Sequence, residues 1–201
     1  MRKLILIGGS PTAGKSYITK KLTEELRLPW ISTDTIREHM RQLVDKKKFP
    51  ALFLHHKTTP EMGVEFLTTN SAKEIVGIVN QESKDVWKGV KALIETDYTW
   101  DTVIIEGCAI LPKFIKDLPK EIEIKTIFLI DEDKERTRKS IFERGLWDSA
   151  RKYPDSVKEK EVEWVMDFNE YIKKEAKKYG FPVVVVGNRK DYFSEIKKLV
   201  S

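Results

Sequence analysis

Residues 4–16 constrain the fold of this 201-residue chain more than any other stretch. An apolar run, Leu4-Ile5-Leu6-Ile7, leads directly into Gly9-Ser10-Pro11-Thr12-Ala13-Gly14-Lys15-Ser16, and apolar residues at helical spacing follow at Ile18, Leu22 and Leu26. Glycines let the backbone curl until successive N–H groups face inward, and a helix that starts there adds the positive end of its dipole. The stretch is G-x-x-x-x-G-K-[ST] in its strand-to-helix setting, a cradle for nucleotide phosphates. Gly9, Pro11, Thr12, Ala13, Gly14 and Tyr17 are expected to border the nucleotide, with Lys15 bridging its β- and γ-phosphates and Ser16 ligating Mg²⁺. The competing reading is an ordinary strand, turn and helix with a chance lysine.

Further apolar, β-rich runs recur at Trp30-Ile31-Ser32, 102–105, 124–130 and 182–186. Runs apolar on both faces read as buried parallel strands. Between them, Ile75, Ile78, Val79, Val86, Val90 and Leu93 mark one helix, and Val162, Val165, Met166, Ile172, Ala176 and Tyr179 another. Gly180 and Pro182 stop the second helix. Alternating strands and helices predict an open α/β sheet with helices on both faces, in one domain over residues 1–201. The weakest pattern, about 46–60, reads as an insertion beside the active face.

The second strand ends in Ser32-Thr33-Asp34-Thr35-Ile36-Arg37, and Arg41 lies one helical turn beyond Arg37. Asp34 is expected at the crevice where open α/β sheets bind ligands, placed to take a proton from an acceptor hydroxyl. Arg37 and Arg41 share a helix face suited to an anionic acceptor group. The bland alternative makes Asp34 a helix cap and the arginines solvated surface. The third strand ends at Glu106-Gly107, where an acid can sit near the magnesium water shell and border the acceptor; a buried structural acid is the alternative.

Gly8-Gly-Ser-Pro-Thr-Ala-Gly-Lys-Ser16, Ser32-Thr-Asp-Thr-Ile-Arg37 and Val103-Ile-Ile-Glu-Gly107 with Leu111-Pro112 together resemble the small-molecule kinases of the P-loop family, the adenylate, shikimate and gluconate kinases. More narrowly, these stretches look like archaeal-type 2-phosphoglycerate kinases. The chain departs from that pattern at Ala109, where the family carries histidine. The resemblance implies a five-stranded parallel sheet of order 2-3-1-4-5, a helical lid at about 136–160, and transfer of the γ-phosphate of ATP, with Mg²⁺, to a hydroxyl of a small anionic acceptor. From Arg136 to Lys152 there are six basic residues (Arg136, Arg138, Lys139, Arg144, Arg151, Lys152) against Glu143 and Asp148, which suits a cover over transferring phosphates. By resemblance Arg144, before Gly145, contacts the γ-phosphate, with Arg151 as the candidate of the returning arm. The turn after the last strand, with Asn188 and Arg189, is expected beside the purine.

Composition narrows the alternatives. Lys and Arg number 37 against 32 Asp and Glu, a net charge of +5, and 40% of residues are hydrophobic, which excludes disorder. No apolar run approaches the roughly 18 residues of a membrane span, and Met1-Arg2-Lys3 before the first strand reads as leaving no room for a signal peptide. One cysteine, Cys108, forms no internal disulfide and fits a reducing cytoplasm as a small packing residue, with a reactive thiol as the sharper reading. His39, His55 and His56 show no zinc spacing. Trp87, Trp100, Trp147 and Trp164 read as core. Gly187-Asn188-Arg189-Lys190-Asp191 only partly matches the guanine-reading motif of GTPases. A kinase acting on nucleic acid or tRNA, held by the basic surface, and a nucleotide sensor that transfers nothing remain as alternatives; the oligomeric state is open.

Overall fold

The computed structural model describes every residue except Met1, His55, Lys57, Asp97, Tyr98, Trp147–Ser149, Asn188 and Ser201, and of residues 189–191 the backbone alone. The chain runs β1 (Lys3–Gly9), α1 (Lys15–Leu26), β2 (Trp30–Ser32), α2 (Thr33–Leu43), α3 (Pro60–Thr69), α4 (Ala72–Thr96), β3 (Thr102–Glu106), α5 (Pro112–Ile115), β4 (Glu123–Ile130), α6 (Lys134–Arg144), α7 (Asp155–Tyr179), β5 (Val183–Val185) and α8 (Arg189–Val200), with 3₁₀ turns at Pro50–Phe53 and Ala150–Lys152.

The sheet has the expected order β2-β3-β1-β4-β5, all parallel. β1 lies at its centre because both its faces are apolar. Leu4 and Leu6 pack into a cluster with Val86, Trp87 and Val90 of α4 and Val162 and Phe168 of α7. Ile5 and Ile7 pack into the opposite cluster with Ile18 and Leu22 of α1 and Ile196 and Val200 of α8. Each such side chain, fully buried, contributes roughly 1.5–3 kcal/mol. Trp87 and Trp164 are core as expected and Trp100 is partly buried against it; Trp147 lies outside the described residues. Among the described residues, no helix is long and apolar enough to cross a membrane.

One local reading changes, and two segments gain detail. The last strand is shorter than 182–186, although the Pro182 carbonyl and the Val186 N–H still bond to β4. The helix after the fourth strand starts at Lys134, where Asp133 caps it by accepting from the Arg136 N–H. Asp131 is buried and accepts both Arg136 Nε and Nη2, at 2.7 and 2.6 Å. Within 46–60, Leu52 of the 3₁₀ turn is wholly buried, so this segment is anchored to the core.

Two close approaches at the carboxyl ends of the strands require glycine. Gly9 has φ +134, and a Cβ there would run into the carbonyl of Leu129; Gly107 has φ +148, and a Cβ would run into the hydroxyl of Thr33. They bring the loop after β1 against β4, and the end of β3 against the start of α2.

Candidate active site

The loop between β1 and α1 carries its own strain. Thr12, which is not glycine, has φ 66, and Gly14 has φ 78 where α1 begins. Ser10 fixes the loop from below: its buried hydroxyl donates to Asn169 Oδ1 of α7 at 2.5 Å, and the same oxygen accepts the Asp131 N–H at 2.9 Å. Lys15 is buried, with Nζ donating to the Ser10 carbonyl at 2.6 Å and to Cys108 Sγ at 3.2 Å. Burial pushes the Cys108 thiol pKa up, so it stays protonated despite the lysine. Ser16 Oγ donates to Glu106 Oε1 at 3.3 Å. Burial raises the Glu106 pKa, with Lys15 and Ser16 partly opposing it.

Lys15, Ser16, Glu106 and Cys108 line a cleft of about 860 Å³ that also takes in Asp34, Arg37 and Arg41 of α2, Glu82 of α4, Gly107, and Glu143 and Arg144 at the end of α6. Pro11, Thr12, Gly14 and Tyr17 border it too, while Ala13 is buried beneath and Gly9 sits in the sheet. The cleft size suits small ligands. Arg144 is exposed and has no carboxylate partner among the described residues. Arg151 is exposed in the 3₁₀ turn and is not among the lining residues. Asn188 lies outside the described residues, and Arg189 is described only as the first residue of α8. His39 is exposed and His56 stands edge-on to Phe53, 5.8 Å between centroids; His55 lies outside the described residues.

At the acceptor end the alternative readings, a capping Asp34 and solvated arginines, do not hold. Ser32, not Asp34, caps α2: its hydroxyl accepts the Asp34 N–H at 3.1 Å, which leaves the exposed Asp34 carboxylate for other partners. Arg37 and Arg41 are not solvated surface: both are paired with carboxylates. Arg37 lies 3.0 Å from Asp34 Oδ1, 3.2 Å from Glu38 and 3.9 Å from Glu82. Arg41 is buried to 5% side-chain exposure, with 2.6 Å to Glu38, 2.9 Å to Glu82 and 2.5 Å to the Leu52 carbonyl. Burial works against the Arg37 charge, and its three carboxylate neighbours outweigh it, so its pKa is raised. Burial raises the Glu82 pKa against the pull of both arginines. Two arginines of α6 are likewise engaged: Arg136 with Asp131 and the Val186 carbonyl, and Arg138 with Glu159.

The site's donors fit a nucleotide and Mg²⁺. The Ser16 hydroxyl and Glu106 carboxylate are paired hard-oxygen donors, and Mg²⁺ characteristically takes only one or two protein oxygens, filling the rest from phosphate and water. Among the described residues no cluster of three His, Cys, Asp or Glu could hold a metal alone. Lys15 already faces the loop's interior, and the Thr12 hydroxyl is buried there without a partner among the described residues.

No family model matches the chain. It is 30% identical over 188 residues to a 2-phosphoglycerate kinase of Thermococcus kodakarensis, covering 92% of this chain and 61% of that protein. With a 2-phosphoglycerate kinase of Methanocaldococcus jannaschii it is 29% identical over 90% of the chain and 57% of that protein. The chain thus spans about three fifths of these curated relatives. Among solved structures, a shikimate kinase from Acinetobacter baumannii in complex with shikimate superposes with TM-score 0.56 at 15% identity, covering 100% of this chain and 93% of that one. A deoxyadenosine kinase from M. mycoides with bound dATP gives TM-score 0.51 at 15% identity, covering 97% of each chain. These likenesses show the fold.

Proposed function

We propose that this chain, which has the fold of P-loop kinases and sequence relatives named 2-phosphoglycerate kinase, transfers the γ-phosphate of ATP to a hydroxyl of a small molecule. The observation that carries the reading is the gathering of Lys15, Ser16, Glu106, Asp34 and Arg144 around one cleft at the carboxyl ends of the strands. The loop amides and Lys15 hold the β- and γ-phosphates, with Lys15 giving up its bonds to Ser10 and Cys108. Ser16 and Glu106 would hold Mg²⁺, which would supply neutralisation of phosphate charge. Asp34 orients the acceptor hydroxyl and takes its proton. Arg144, unpaired among the described residues, meets charge that develops on the transferring group as residues 136–160 close as a lid. Asn188 and Arg189 border the purine. The single domain and the cytoplasmic setting belong to this same reading.

Acceptor-dependent ADP release over a panel of hydroxyl compounds, with Mg-ATP binding measured in parallel, tests it. Release stimulated by any small molecule supports the kinase. Mg-ATP binding with no stimulating acceptor favours a nucleotide sensor, and stimulation by RNA alone, falling steeply with salt, favours a nucleic-acid kinase.

A further inference from the structure

α7 turns an apolar face to the core, with Val162, Val165, Phe168, Ile172 and Ala176 wholly buried, and Asn169 is buried among them. An amide in such surroundings is costly unless it is bonded. Asn169 Oδ1 accepts from the Ser10 hydroxyl and from the Asp131 N–H at the distances given above, while Nδ2 lies 3.8 Å from the Met166 thioether. The Asp131 N–H can only donate, so the atom facing it is the amide oxygen, and Ser10 must donate to that oxygen as well.

Ser10 is in turn the footing of the phosphate loop. Its N–H donates to the Leu129 carbonyl at 3.1 Å, and its own carbonyl accepts Lys15 Nζ at 2.6 Å and the Ala13 N–H at 3.4 Å. Two residues further on, Thr12 has φ 66, a conformation that persists in a threonine only where surrounding contacts hold it. The backbone bonds fix Ser10 to β4 and to its own loop, and Asn169 ties it across to α7, 159 residues away in the chain. Through the same oxygen Asn169 reaches Asp131, whose carboxylate grips Arg136 in the first turn of α6. One side-chain atom thus joins the phosphate loop to α7 and to the start of α6.

Resting on the kinase reading above, we propose that Asn169 is a positioning residue for the nucleotide phosphates: by holding Ser10 it keeps the loop and Lys15 in the form that receives the β- and γ-phosphates. It touches no substrate and acts through Ser10 alone. A loop held in this way gives up little freedom when Mg-ATP arrives, so Asn169 contributes to nucleotide affinity, in ground state and transition state alike.

The test compares the full chain with Asn169→Leu, Ser10→Ala and the double variant, by titration calorimetry with Mg-ATP, thermal melting and the kinetics of acceptor-stimulated ADP release. Each single change is expected to raise the Kd for Mg-ATP by about tenfold, and the KM for ATP with it, while kcat stays within about threefold of wild type. The double variant is expected to bind no more weakly than the weaker single variant, since both changes remove one and the same bond. A structural role alone lowers the melting temperature and leaves the Kd of the folded protein unmoved, and that result overturns the proposal. So does a fall in kcat at unchanged KM, or losses of affinity that simply add. Should Asn169→Leu fail to fold, Ser10→Ala decides through its Kd, because it breaks the bond from the loop side and leaves Asn169 bonded to Asp131. Mg-ATP binding without stimulated ADP release overturns transfer and leaves the Kd comparison to decide on Asn169, whereas no Mg-ATP binding by the wild type overturns the kinase reading and this proposal together.

Discussion

Lys15 is buried between a carbonyl and a thiol, so its removal opens no cation-shaped hole elsewhere in the core. Lys15→Ala is accordingly expected to keep the fold and lose Mg-ATP binding, as titration calorimetry would show; affinity equal to wild type would contradict the loop's role. Arg144→Ala is expected to lower turnover by about 10²–10³-fold, or roughly 2.7–4 kcal/mol, with ATP affinity nearly kept, because its contact strengthens only as charge develops. A rate within a few-fold of wild type would make it a solvated helix end. Asp34→Asn keeps size and loses basicity, so transfer should fall while nucleotide binding stays. The phosphate-facing residues were legible in the sequence because the loop's chemistry is local: eight consecutive residues supply backbone, cation and hydroxyl. Glu82 was not legible, since it sits among Gln81, Ser83 and Lys84 in a long amphipathic helix, and only packing brings it to Arg41, 41 residues away. For the same reason the carboxylates that hold Arg37 and Arg41 were not visible in the sequence.

At the scale of elements, periodicity located α1, α4 and α7 and the β-rich runs located the strands, because both follow from which faces are buried. Their junctions were less visible. The contact of α3 with the 3₁₀ turn at Ala150–Lys152 depends on Gly63, where a Cβ would occupy the place of the Tyr153 hydroxyl. Gly63→Ala is expected to cost about 1–3 kcal/mol by overpacking and lower the melting temperature by roughly 2–4 °C per kcal/mol, with Tyr153→Phe in the same protein restoring part of the loss. On α7, Glu161 is wholly buried with both oxygens unpartnered among the described residues; burial raises its pKa to about 8, with Lys158 opposing. The folded state therefore holds a proton that the unfolded chain releases near pH 4.5. The stability linked to this proton is whole below about pH 4.5 and is lost as pH rises towards about 8. Denaturant titrations should find Glu161→Gln more stable than wild type at pH 8, by on the order of a few kcal/mol, and nearly equal to it at pH 4.5. Parallel pH curves for the two proteins would mean that Glu161 is solvated.

For the whole molecule, one strand serves both hydrophobic clusters, so they should melt together. Circular dichroism and tryptophan fluorescence are expected to trace a single transition. Mg-ATP at about 100 times its Kd should raise that transition by about 2.7 kcal/mol, or roughly 5–11 °C for a chain of this size. Two separate transitions would divide the core. The central place of β1 also sets a timetable for synthesis. Its neighbours β3 and β4 begin at Thr102 and Glu123, so β1 leaves the ribosome with both edges unpaired and its isoleucines and leucines uncovered. Elongation adds about 5–20 residues per second, and the wait for β4 lasts on the order of ten seconds. The segment that will cradle phosphate thus spends that interval as a sticky, strand-forming ribbon, and the nascent chain should be a client of holding chaperones until the fourth strand arrives.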